Sequence, residues 1–167
     1  MDEQPDDPRW WLREYGPRLV LLARQYVDCH ADAEDVFQEA FVRFWQQRAA
    51  AREPVAYLFR AVRNAARNRR RAESRRRRHE QHAAAERMFA AVAVDVEVPY
   101  DADDVALALA ALPEEQREVV VMKIWGELTF EAIGQALEIP QGTAQSRYRY
   151  ALQSLRKTLV ARRTKNA

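Results

Sequence analysis

The sequence predicts an all-α chain of two small helical domains joined by a flexible tether, and three observations carry that expectation. Glycine is scarce, 4 in 167 residues, while Ala, Arg, Glu, Leu and Gln abound, a mixture dominated by strong helix formers. Apolar residues recur every three or four positions through most of the chain. Charge is segregated: behind a net +2, residues 60–78 carry ten arginines against Glu73, and residues 95–118 carry eight acids against Arg117. The basic stretch is expected to meet phosphate. A 48% apolar content can supply one large core or two small ones. A single cysteine, Cys29, excludes a disulfide framework and any CxxC metal site. No apolar run approaches the roughly 18 residues that cross a bilayer, and the acidic N-terminus is unlike a signal peptide, so a soluble, cytoplasmic protein is expected.

The first helix is expected over about Pro8 to Cys29, with Trp10, Trp11, Tyr15, Leu19, Leu22 and Tyr26 at helical intervals and Pro17 as a kink or restart point. In the second, Asp32 can cap, and Glu34 and Asp35 favour the helix start. Val36, Phe37, Ala40, Phe41, Phe44 and Trp45 form an aromatic core stripe. The opposite face, with Asp35, Gln38, Glu39 and Arg43, is open. A polar loop, Gln46 to Glu53, leads to a third helix opened by Pro54, with Val55, Leu58, Phe59, Val62 and Ala66 inward. Arg60, Arg63, Asn64, Arg67 and Asn68 lie elsewhere on it, and Arg69, Arg70 and Arg71 extend its basic run. Such a face beside exposed aromatics fits single-stranded or unwinding DNA; charge alone fits RNA binding or a solvated helix equally well. The expected boundaries are 8–74 for the first domain, 75–103 for the linker and 104–163 for the second domain. His79 and His82 are spaced i, i+3 with no third ligand nearby, so neither a metal site nor a cofactor is expected.

The second domain restarts at Asp104 and holds the most informative stretch, Leu112 to Leu159. Pro113 suits a first helical turn, and Glu114 and Glu115 sit at the positive end of the helix dipole. Val119, Val120, Met122, Ile124 and Trp125 give that helix a broad buried side, and Gly126 is a natural stop. Thr129 stands where an N-cap is wanted, before Phe130, Ile133, Ala136 and Leu137 on one face of a short helix. Pro140 and Gly142 break the chain. From Thr143 a further helix carries Tyr148, Ala151, Leu152, Leu155 and Leu159 on one side, and residues 143–163 hold Arg147, Arg149, Arg156, Lys157, Arg162 and Arg163 with no carboxylate. That is the sequence form of a helix-turn-helix whose last helix suits the major groove, with Gln145, Ser146, Arg147 and Arg149 able to reach bases or phosphates. A plain three-helix unit with a solvated basic last helix is the competing reading.

The stretches DAEDVFQEAFVRFWQ, PVAYLFRAVRNAARNRRR and LPEEQREVVVMKIWGELTFEAIGQALEIPQGTAQSRYRYALQSLRK, in this order and separated by a tether, resemble the bacterial sigma factors of the extracytoplasmic-function (ECF) subfamily. The resemblance covers about residues 10 to 72 and 104 to 160. It implies a region 2-like helical bundle and a region 4-like helix-turn-helix domain, with core RNA polymerase and promoter DNA as partners and an anti-sigma protein as a candidate third. It implies that Asp35, Gln38, Glu39 and Arg43 meet the clamp helices of the largest polymerase subunit. The loop Gln46 to Glu53 would capture a base of the minus-ten element, with Arg60, Arg63, Asn64 and Arg67 near the displaced strand. In the second domain Thr143, Gln145, Ser146, Arg147, Arg149 and Tyr150 would face the minus-thirty-five groove, supported by Lys123, Phe130 and Glu131. The tether would thread towards the active-site channel.

Some positions depart from the subfamily pattern. Glu138 stands at a turn position where glycine is frequent, and a left-handed conformation there would cost about 1 kcal/mol. Gly134 replaces a usual alanine, Ala132 a usual glutamate, Tyr150 a common arginine, and Asn68 a frequent aspartate. Two other classes compete. A one-component regulator would need a ligand pocket or dimer interface and would leave residues 32–72 unexplained. A recombinase or nuclease would need clustered carboxylates, and Asp32, Glu34 and Asp35 read better as cap and dipole partners, so no enzyme is expected.

Overall fold

A computed structural model describes residues 6–79 and 102–166. It is all-α among the described residues: α1 Pro8–Ala23, α2 His30–Gln47, a 3₁₀ turn Arg48–Ala50, α3 Pro54–His79, α4 Ala102–Ala110, α5 Glu114–Ile124, α6 Phe130–Leu137 and α7 Gln141–Asn166. Two compact units result, the first carrying α1–α3 and the second carrying α4, α5, α7 and residues Phe130–Gly134 of α6. Of the expected linker, residues 80–101 lie outside the described residues, His82 among them. Residues 75–79 belong to α3, and α4 begins two residues before Asp104.

In the first unit α1, α2 and α3 pack pairwise around an aromatic core. Trp11, Leu19, Leu22, Phe37, Phe41, Phe44, Leu58, Phe59 and Val62 are buried. Phe44 is central: its ring lies 4.9 Å from Trp11, 5.9 Å from Phe41 and 6.1 Å from Tyr57. Helix α1 starts on Pro8 with Asp7 as cap, whose Oδ1 accepts the Arg9 N–H at 2.9 Å. Pro17 does not restart it, because α1 continues through that position to Ala23. Both Pro17 and Arg13, whose carbonyl loses its helical donor, are exposed, so the lost hydrogen bond falls at the surface rather than in the core. The chain after Ala23 is turn rather than helix, yet Tyr26 and Val27 remain buried.

Two expectations are corrected at the ends of α2. Its cap is Cys29, whose Sγ accepts the Asp32 N–H at 3.3 Å. Asp32 is drawn off by α3 instead, since its Oδ1 accepts from Arg69 Nη2 at 2.6 Å. The expected loop over Gln46 to Glu53 is also shorter: α2 runs to Gln47 and a 3₁₀ turn follows, leaving Ala51–Glu53 irregular.

In the second unit Leu112, Val120 and Ala151 form a buried cluster with Leu109, Trp125, Tyr148 and Leu155 packed on it. α4 and α5 both pack on α7. Buried positions on α5 are Glu118, Val119, Val120, Val121 and Met122. Ile124 is 41% exposed and Leu152 on α7 is 40% exposed, so both leave the expected core: one lies in the final turn of α5, the other on the outward side of a long helix. Gly126 does end the run, but with ordinary backbone angles; the left-handed residue is Glu127, φ 54. Helix α7 begins at Gln141, two residues before the expected start. Pro140 is its cap, its carbonyl accepting from Thr143 N–H at 2.9 Å and Ala144 N–H at 3.1 Å, so Gly142 lies inside the first turn.

Candidate polymerase and nucleic-acid interfaces

On α2 the buried stripe Ala33, Val36, Phe37, Ala40, Phe41, Phe44 fixes which side remains open. At about 100° per residue, Asp35, Gln38, Glu39 and Arg43 fall on that other side, and all four are exposed. Arg43 Nη2 donates to Glu39 Oε1 at 2.5 Å one helical turn away, which holds both charges on the surface. Val42, 57% exposed, sits amid these four. Periodicity did not single it out, and one exposed valine among polar neighbours is ordinary on a protein surface.

Past α2 the chain is closed by short-range contacts. The Arg48 guanidinium lies 3.5 Å from the centre of the Trp45 ring and its Nη1 donates to the Trp45 carbonyl at 2.9 Å. Arg48 also pairs with Asp6. Tyr57, in the first turn of α3, donates from its hydroxyl to Gln47 Oε1 at 2.6 Å. The turn is therefore stapled at both ends, and Trp45, expected in the core stripe, is half-buried with Arg48 over it, a contact that WxxR at a helix end favours by placing a cation over an indole.

On α3, Arg60, Arg63, Asn64 and Arg67 lie within about 100° of arc. Asn64 is exposed and the three arginines half-buried; Arg60 stands over the Tyr57 ring at 5.4 Å. One turn further on the arginines divide by task. Arg69 faces the bundle, bonded through Nε to Glu73 at 3.2 Å and through Nη2 to Asp32. The Glu73 hydrogen bond, then the Asp32 charge, raise its pKa above the usual arginine value. Arg70 covers the Tyr26 ring at 5.3 Å.

In the second unit Thr129 caps α6, its Oγ1 accepting from Ala132 N–H at 3.1 Å. Lys123 secures the break before it, donating to the Leu128 carbonyl at 3.0 Å and standing 5.1 Å from the Phe130 ring. Phe130 in turn meets Tyr148 edge-on at 5.5 Å, so Lys123 and Phe130 are committed to holding α6 on α7. Glu131 is exposed. The α6–α7 turn passes through Glu138 at φ 58, and the Ile139 N–H returns to the Gly134 carbonyl at 2.9 Å.

Along α7, Gln145, Arg149 and Tyr150 are exposed, Arg149 standing 5.2 Å from the Tyr150 ring. Ser146 is half-buried and its hydroxyl donates to the Thr143 carbonyl at 3.0 Å. Arg147 is tied back to α5 by an ion pair of 2.7 Å with Glu115. The six residues named for this helix thus divide: three project freely, while Thr143, Ser146 and Arg147 are engaged within the unit.

The chain matches the family model "Sigma-70 region 2" over residues 11–76 and "Sigma-70, region 4" over residues 108–157. It is 33% identical over 150 residues to the ECF RNA polymerase sigma factor SigL of Mycobacterium tuberculosis, spanning 87% of this chain and 85% of that protein. It is 28% identical over 158 residues to SigW of Bacillus subtilis, spanning 87% and 84%. Among solved structures, the sigma factor RpoE bound to the anti-sigma factor NepR from Bartonella quintana has the same fold, with TM-score 0.72 at 22% identity over 90% of this chain and 95% of that one. CnrH bound to the cytosolic domain of CnrY superposes with TM-score 0.63 at 25% identity over 92% and 88%. An open polar face on a three-helix bundle, an acid-free helix after a tight turn, and these likenesses across nearly the whole chain lead to one conclusion: the chain belongs to the ECF RNA polymerase sigma factors, alternative sigma factors that direct transcription initiation.

Proposed function

We propose that this chain grips a promoter at two places while bound to core RNA polymerase, and that it works in the cytoplasm by binding alone, without covalent chemistry. Asp35, Gln38, Glu39 and Arg43 on α2 dock on the clamp helices of the largest polymerase subunit. The stapled turn after α2 and Arg60, Arg63, Asn64 and Arg67 take up the separated strand of the minus-ten element. Gln145, Arg149 and Tyr150, with Thr143, Ser146 and Arg147 at the edge, read the minus-thirty-five element as duplex, while Lys123, Phe130 and Glu131 support the backbone contacts. Residues 8–74 and 104–163 act as the two functional domains. An anti-sigma protein is a further partner, since the similar sigma factor RpoE has been solved with the anti-sigma factor NepR bound.

The observation that carries this reading is the coexistence in one chain of an uncovered polar face on α2 and an exposed, acid-free face on α7. Phosphate contacts supply salt-dependent affinity, and melting costs a few kcal/mol per unstacked base, offset by capture of the base. Polymerase tethers the two contacts, so each can be weak alone and the pair still strong. In vitro transcription with core polymerase, the purified chain and genomic DNA tests it. Discrete start sites preceded by a shared pair of sequence elements are expected; no chain-dependent transcript would refute it.

A further inference from the structure

Helix α2 ends on Gln47, an exposed residue whose side chain is nonetheless fixed at one end. Its Oε1 accepts from the Tyr57 hydroxyl at 2.6 Å. Tyr57 itself has little freedom. It is half-buried in the first turn of α3, with its ring centre 6.1 Å from that of the buried Phe44 and the Arg60 guanidinium 5.4 Å from the same centre. A carboxamide carries its acceptor oxygen and its two-donor amino group on opposite ends of one planar unit. Tying the oxygen to Tyr57 therefore turns the amino group outward, and Gln47 Nε2 has no hydrogen-bond partner among the described residues.

We propose that Gln47 reads one base of the separated strand through this outward amino group, with Tyr57 as its positioning residue; it rests on the reading above that the turn after α2 takes up that strand. The class of base follows from the hydrogen bonds left to Gln47. A free carboxamide pairs best with adenine, its oxygen accepting from N6–H while its nitrogen donates to N7. Held by Tyr57, Gln47 instead offers two donors on one nitrogen, which suit two neighbouring acceptors. Guanine presents such a pair at O6 and N7, and an unpaired cytosine presents one at N3 and O2. Adenine and thymine separate the acceptors on the corresponding edges by an N–H group. Arg60, over the face of the same tyrosine ring, adds a cation suited to a phosphate of that strand.

The experiment uses holoenzyme reconstituted from core polymerase and the full chain, and single strands of the melted segment of a promoter mapped as above, with A, C, G or T at each position in turn. At one position wild type is expected to favour guanine or cytosine over adenine and thymine by about 5- to 150-fold. Gln47→Ala should level the four bases there and leave preferences at the other positions intact. If the favoured base is guanine, 7-deazaguanine, which lacks the N7 acceptor, should lose most of the advantage. Tyr57→Phe keeps the ring but releases the carboxamide, so adenine should rise towards parity with the favoured base. A tyrosine that only braces the turn would instead weaken all four bases alike, and that uniform loss would overturn the assignment. So would a Gln47-dependent preference for adenine or thymine. Gln47→Ala, at an exposed position, decides the matter even where Tyr57→Phe does not fold. Wild-type holoenzyme that holds the strands with no preference dependent on Gln47 would sink this assignment alone, whereas wild-type holoenzyme that holds none of them would sink the underlying reading.

Discussion

Glu138 occupies a left-handed backbone conformation, φ 58, with a Cβ that this conformation disfavours. Glycine removes that conflict at the cost of a more flexible unfolded chain. Relief of about 1–2 kcal/mol exceeds the entropic loss of about 0.4–1 kcal/mol, so Glu138→Gly is expected to raise the midpoint of thermal unfolding, measured by calorimetry. The turn was legible because Glu-Ile-Pro-Gln-Gly left no continuous helix possible, and the left-handed position followed from the resemblance. The cap of α2 was not. Asp32 is a good cap by type, but Arg69, 37 residues away in sequence, claims its carboxylate, and no local rule sees that. The same holds for Arg147, which the sequence lists among the reading residues and the fold ties to Glu115. We expect Arg149→Ala and Arg147→Ala each to lower transcription from cognate promoters at unchanged polymerase binding. In circular dichroism melts only Arg147→Ala should also destabilise the second unit, because only it breaks a contact between α5 and α7.

At the scale of elements, the open face of α2 and the tight α6–α7 junction make opposite demands. The face tolerates change, because none of Asp35, Gln38, Glu39 or Arg43 packs inward. Asp35→Lys combined with Gln38→Ala should therefore leave unfolding stability within about 0.5 kcal/mol while weakening holoenzyme formation in a gel-filtration or fluorescence-anisotropy assay. The junction tolerates little. A Cβ on Gly134 would stand 2.8 Å from the Ile139 carbonyl oxygen and 3.4 Å from the Gln141 nitrogen, both backbone atoms that cannot swing away. Alanine gains about 1 kcal/mol of helix propensity over glycine, but overpacking against fixed backbone costs about 1–3 kcal/mol. Gly134→Ala, although alanine is usual there in the subfamily, is thus expected to lower stability in denaturant melts. Helix existence and the core faces of the first unit were readable from spacing, since Phe37, Phe41, Phe44, Leu58, Phe59 and Val62 all turn inward as periodicity demands, whereas in the second unit Ile124 and Leu152 did not. Boundaries were less so: α1 runs through Pro17 because that position is solvated, and α7 starts early because Pro140 caps it. The Tyr57–Gln47 staple arises only once α2 and α3 fold back on each other, whereas the Trp45–Arg48 one is local to the end of α2.

For the whole molecule, the segregation of charge matters more than the net value. A nearly neutral chain carries most of its arginines on α3 and α7, so attraction to nucleic acid is concentrated on two helices and is weakened on both by salt. The division into a first unit on α1–α3 and a second around α5 and α7 was foreseeable from the charge runs and from the acidic stretch between them. How each arginine is used within its unit had to come from the fold.

The ion pair between Arg147 and Glu115 makes the second unit a competitor for its own ligand. Any DNA phosphate or base edge that engages this guanidinium must displace a carboxylate already seated at 2.7 Å, and a mismatched site that offers a poorer acceptor simply lets the internal pair re-form. A DNA contact stronger than the internal pair loses the full strength of that pair, whereas a weaker one loses only what little it had to give, so Glu115 lowers affinity most at the sites that engage Arg147 best and adds no discrimination of its own. Replacing it should tighten binding: holoenzyme carrying Glu115→Gln is expected to hold cognate promoter more tightly than wild type does, with no loss of its preference over random-sequence duplex, as read by competition footprinting, and an unchanged affinity would show that Arg147 never leaves its intramolecular partner.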